Sequence, residues 1–120
     1  MKKKAARKTL KPCPASPNCV SSMAKDKKHF VEPIQFDQSQ KAAHKKLLEI
    51  LKSLPRTKIT ISKDDYICAE STSLLFRFVD DLEFVFDANK KIIHVRSASR
   101  VGYSDLGVNR KRVESIRKKF

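Results

Sequence analysis

Hydrophobic and polar positions follow two rhythms along this chain, and the change of rhythm marks its elements. Over residues 37–54 the apolar side chains Ala43, Leu47, Ile50, Leu51 and Leu54 recur at helical spacing. Lys41, Lys45, Lys46, Glu49 and Lys52 fall largely on the opposite side. Asp37 with Gln40 three residues later fits a capping box, and Pro55 ends the helix. From Thr57 the period falls to two. Residues 57–62 place Ile59 and Ile61 on one face, Lys63, Asp64 and Asp65 form a turn, and residues 66–72 return as a second strand. The apolar run 74–79 fits a strand or a short helical turn, and Asp80 and Asp81 interrupt it. Residues 82–87 alternate again, with Leu82, Phe84 and Phe86 together. A turn over 88–91 leads to a fourth strand at 92–97. A last helix is predicted over 109–118, with Asn109 as N-cap and Val113, Ile116 and Phe120 as its apolar stripe. Arg117, Lys118 and Lys119 lie in its final turn, where the helix dipole favours cations. The pattern predicts an α+β fold: a four-stranded antiparallel sheet covered by two helices.

The first 28 residues lack such periodicity. Pro12, Pro14, Pro17 and Asn18 break them into a basic disordered tail, 1–11, and a Pro/Cys loop held against the sheet. Residues 29–36 read as a short extended segment anchored by Phe30, Ile34 and Phe36. At 120 residues the chain suggests a single domain over 12–120, large enough for one core. No apolar run approaches the ~18 residues of a transmembrane segment. The basic start is followed by no apolar stretch of a signal peptide, so the chain as written is expected in the cytoplasm, with export by a specialised route left open.

Charge changes the picture more than composition does. The formal net charge is +14, but residues 29–109 contribute only +1, against +8 from residues 1–28 and +5 from residues 110–120. The central segment is nearly neutral and the ends are basic. Such ends attract polyanions, so non-specific nucleic acid or anionic lipid binding through Lys2–Lys28 and Arg110–Lys119 is one functional expectation. Residues 1–28 hold no aromatic side chain to stack on bases, so any such binding is phosphate-directed and salt-sensitive. A plain solubility tail is the alternative.

The densest polar chemistry lies between Arg96 and Arg112. Arg96, Ser97, Ser99, Arg100, Tyr103, Ser104, Asp105, Asn109 and Arg110 surround Gly102 and Gly107 and run into a helix N-terminus. Two glycines permit a tight turn, and free N–H groups at a helix start attract anions. Arg96 and Arg100 can add bidentate contacts to a carboxylate or phosphate. This predicts a non-catalytic binding module for a small anion or an acidic protein segment, with Asp80 and Asp81 orienting the arginines. The competing structural expectation is a closed network in which Asp80, Asp81 and Asp105 satisfy Arg96, Arg100 and Arg110. A catalytic alternative uses His94, on the strand face of Arg96, or Asp105 as general base, with Arg100 stabilising developing negative charge. No nucleophile elbow, phosphate-cradling glycine loop or zinc-protease motif accompanies these residues, and no cofactor is implied. Cys13 and Cys19 can close as a disulfide in an oxidising compartment, or stay reactive thiols beside lysines. Their spacing does not suggest a metal site, and Cys68 reads as a core residue.

Three stretches carry a family resemblance: Cys13-Pro-Ala-Ser-Pro-Asn18-Cys19-Val-Ser-Ser22, Phe78-Val-Asp80-Asp81-Leu-Glu83-Phe84, and the long segment from Arg96 to Glu114. Their order and spacing resemble the domain of unknown function 1499 family, found in bacteria and photosynthetic plastids. The resemblance spans about residues 12–118. It implies a single small domain and carries no established reaction.

Overall fold

The computed structural model describes residues 9–102 and 104–120. Its elements follow in the order β1 (Cys19–Ser21), β2 (Ile34–Gln35), α1 (Gln40–Ser53), β3 (Thr57–Lys63), β4 (Tyr66–Thr72), β5 (Val79–Asp87), β6 (Ile92–Ser99) and α2 (Val108–Lys119). They build one antiparallel sheet in the order β1-β6-β5-β4-β3, with β2 also on β6. The α+β class and both helices are as expected. The sheet has six strands rather than four, because β6 offers its outer edge to two short pieces of the N-terminal segment. Three and two residues are too few for alternation to show, and an unpaired sheet edge recruits such pieces through backbone groups alone.

The turn after Asp87 sets the register of the sheet. Asp87 opposes Ile92, which brings Phe84 opposite Val95 and Leu82 opposite Ser97 on one face, and Val85 opposite His94 and Glu83 opposite Arg96 on the other. The first face is the main core. Ile67, Phe84, Ile93 and Val95 meet Leu47 and Leu51 of α1 and Val113 and Ile116 of α2, all fully buried. The second face is covered by the start of the chain: Leu10 packs on Tyr66 and Val85 in a smaller cluster. Leu10, expected at the end of a disordered tail, is therefore part of the packed domain; residues 1–8 lie outside the described residues.

Several local expectations change. A β-bulge between Ile59 and Ile61 puts Ile59 opposite Ala69 and Ile61 opposite Cys68. One extra residue reverses every later side chain, so Ile59 reaches the core while Ile61 is 40% exposed. α1 is capped by Ser39, whose Oγ accepts from the Ala42 N–H at 3.1 Å, and not by Asp37. Gln40 instead donates to the Asp64 carbonyl, tying the helix to the β3–β4 turn. Asp80 and Asp81 do not interrupt the strand; they lie within β5 on opposite faces. Val31, not Phe30, is the buried anchor beside Ile34 and Phe36.

Candidate functional site

β5 and β6 carry a polar cluster on each face, and the two clusters are built differently. On the helix-covered face the hub is Asn109, fully buried in the first turn of α2 rather than capping it. Its Nδ2 donates to Asp105 at 2.6 Å, Ser99 Oγ at 2.9 Å and the Asn18 carbonyl at 3.2 Å. Its Oδ1 accepts from Ser97 Oγ at 2.6 Å and Arg112 at 2.8 Å. Arg112 also pairs with Asp80 at 2.8 Å. Gly107, at φ 80°, holds the N-cap position, and the capping is done by Asp105. Its carboxylate accepts from the Gly107 and Asn109 N–H groups at 2.8 and 3.0 Å. Burial pushes the Asp105 carboxyl up, but the hydrogen bonds from the Asn109 side chain and the two N–H groups outweigh it and hold it below the ordinary carboxylate range. Asn18 returns a hydrogen bond to the Gly102 carbonyl at 2.7 Å, which fastens the Pro/Cys loop to the same loop. A disulfide joins Cys13 to Cys19.

The predicted residues thus divide. Ser97, Ser99, Asp105 and Asn109 come together, but their hydrogen-bonding capacity is taken up inside the protein. Asp81 pairs with Arg100, which donates to it at two points, each 2.8 Å, and reaches Glu70 at 2.8 Å. Both carboxylates raise the Arg100 pKa further above its ordinary value. Asp80 holds Arg112 and not Arg96, because it faces the helices. Arg110 donates to the Phe30 and Lys28 carbonyls at 2.7 and 3.0 Å. Ser104 is exposed, and Tyr103 lies outside the described residues.

Arg96 is the exception. It sits on the second face, with a side chain only 13% exposed. Its Nε is buried with no hydrogen-bond partner among the described residues. Its other contacts are long: the Pro12 carbonyl at 3.4 Å and the Glu83 carboxylate at 3.9 Å. Glu83 is engaged elsewhere, accepting from the Tyr66 hydroxyl at 2.5 Å, and Cys68 Sγ donates to that hydroxyl at 2.9 Å. Burial, then the hydrogen bonds with Cys68 and Glu83, push the Tyr66 phenol well above its ordinary value. Cys68 is thus on the second face and half-buried, not in the main core. A cleft of about 210 Å³ opens here, with Lys11, Thr60, Cys68, Asp81, Glu83 and Arg96 among its lining residues. His94 shares this face, as its two-residue spacing from Arg96 requires, with Nδ1 2.9 Å from Ser22 Oγ. Glu83, Tyr66 and Lys11 were not singled out by sequence, although strand parity puts Glu83 and Arg96 on one face once the turn at 88–91 is fixed.

A larger cleft, about 540 Å³, lies by Phe36, Lys46, Arg117 and Phe120. Its arginine is already satisfied: Arg117 bonds the Glu32 and Pro33 carbonyls at 2.6 and 2.8 Å and Glu114 at 2.9 Å. Among the described residues no group of three His, Cys, Asp or Glu is placed to hold a metal ion. No helix among them is long and apolar enough to cross a membrane.

An antiparallel sheet with two helices on one face and a disulfide-closed N-terminal segment along the other defines a small α+β domain. The chain belongs to the family described as Protein of unknown function (DUF1499), whose model matches residues 9–120. No curated protein and no solved structure matches the chain.

Proposed function

We propose that the protein is a binding module that holds a small anion, or the carboxylate of an acidic partner segment, on Arg96. The observation that carries this reading is the under-satisfied guanidinium of Arg96. Arginine has five N–H donors and is charged at any accessible pH. Burying such a group without strong partners is costly, and folds normally avoid it. Arg100, Arg110, Arg112 and Arg117 each have close acceptors, whereas the acceptors of Arg96 stand at 3.4 and 3.9 Å. An anion in the adjoining cleft completes the set; Lys11 is a second cation on its wall, and of the two carboxylates there Asp81 is already paired with Arg100 and Glu83 with the Tyr66 hydroxyl. The size of the cleft limits the guest: about 210 Å³ is below the usual range for cofactor and drug-like ligands, and suits a carboxylate or phosphate group.

Catalysis has less support. The Asp105 oxygens are engaged by the start of α2, which suits capping better than proton abstraction. The basic ends remain a separate route to polyanions, but Arg110 and Arg117 spend their donors on backbone carbonyls. Thermal unfolding with acetate, citrate and phosphate tests the proposal. A ligand that binds only the folded state raises the midpoint. The midpoint is expected to rise in wild type at constant ionic strength, and not in Arg96→Gln. An equal rise in both proteins removes Arg96 from the site.

A further inference from the structure

The β4–β5 hairpin ends in an apolar tip that the fold leaves uncovered. The Ser73 N–H donates to the Phe78 carbonyl at 2.8 Å, and Ser73 Oγ accepts from the Phe78 N–H at 2.9 Å, which closes the turn. Across it stand Leu74, Leu75, Phe76 and Phe78, exposed by 70, 79, 69 and 52%. Surface turns normally carry Gly, Asn, Asp or Ser. Here Phe76 and Phe78 stack on each other at 5.6 Å and both remain largely exposed. The end of β6 lies beside this hairpin, since the Arg100 N–H donates to the Val79 carbonyl. Val101 and Leu106 in the loop that follows are also exposed. Single exposed apolar residues need no explanation, but a cluster of them marks an interaction surface.

Charge selects the partner. Arg56, Lys58 and Arg77 line one shallow cleft at the base of the tip. Arg56 is fixed there by donating to the Thr72 carbonyl at 2.9 Å. Residues 71–78 contain no acid, and the whole chain carries +14. Apolar side chains flanked on one side by cations match an anionic bilayer surface: rings and aliphatic groups enter the headgroup–acyl boundary while the cations meet phosphates. A protein partner needs a cavity shaped to a convex tip, whereas a bilayer closes around one. We infer that residues 74–78 insert into the surface of anionic lipid bilayers and dock the domain there peripherally. This site is distinct from the Arg96 cleft and does not depend on it.

The chain has no Trp, so Phe76→Trp places a single reporter at the tip. Its emission is expected to shift blue with vesicles of phosphatidylcholine and phosphatidylglycerol, and to stay put with phosphatidylcholine alone. Co-sedimentation of the wild-type chain with the mixed vesicles should weaken at least about tenfold in Leu75→Ser/Phe76→Ser, from lost apolar burial. The unfolding midpoint should not fall, because both side chains are exposed. Arg56→Gln/Arg77→Gln should bind less tightly, and Arg96→Gln equally well. Three results overturn the inference. The first is no blue shift with anionic vesicles. The second is full vesicle binding by the serine variant, which assigns binding to the basic ends. The third is a lipid-independent blue shift that grows with protein concentration, which makes the tip a contact between copies.

Discussion

Asn109 shows how one side chain can decide a local structure. It uses both amide donors and its acceptor on five partners from α2, β6, the loop between them and the Pro/Cys loop. Asn109→Ala strands buried donors and acceptors on several elements at once. A loss of about 3 kcal/mol is expected in denaturant unfolding, with the m-value unchanged. Asp105 adds a pH signature. Its folded pKa lies below the ordinary 3.8, so its stabilising contribution is complete above pH 3.8 and is lost as pH falls through the lower folded value. Asp105→Asn replaces one of two accepting oxygens by a donor, so it should cost about 1 kcal/mol at neutral pH and flatten the acid limb of the stability curve. The composition of residues 96–112 made this region legible as a polar centre. It did not tell which groups were spent internally, because that depends on strand face. Asp80 and Asp81 are adjacent in sequence yet serve Arg112 and Arg100 on opposite sides of the sheet. Glu83 matters to the proposed anion site as a like charge for the guest. Glu83→Gln should tighten anion binding by about tenfold, read by titration calorimetry, while Glu83→Gln/Arg96→Gln should not bind.

At the level of elements, helices and long strands were readable because their periods of 3.6 and 2 survive over many residues. β1, β2 and the bulge in β3 were not. The first two owe their conformation to the free edge of β6, and the bulge depends on pairing rather than on residue type. The disulfide gives β1 a covalent tether, closing a short loop of sequence separation 6 just before Cys19 enters the strand. Replacing both cysteines by serine should cost about 2 kcal/mol by the loop-entropy relation. Alkylation of the folded, unreduced protein should label at most Cys68, and after reduction and unfolding all three cysteines. Such a bond persists best in an oxidising compartment.

For the molecule as a whole, the sheet acts as a partition. One face is sealed by α1 and α2 around an apolar core, and the polar cluster at its edge serves to fasten α2. The other face, covered among the described residues by a small cluster around Leu10, keeps a charged residue short of partners. That asymmetry is the basis for reading the protein as an anion-binding module. The most direct test follows the Nε–Hε signals of the arginines by NMR while acetate or phosphate is added at constant ionic strength. A saturable shift of the Arg96 signal is expected, with those of Arg100 and Arg112 unmoved because Asp81 and Asp80 already hold them. A shift led by Arg100, or a linear drift shared by all the arginines, would contradict that reading.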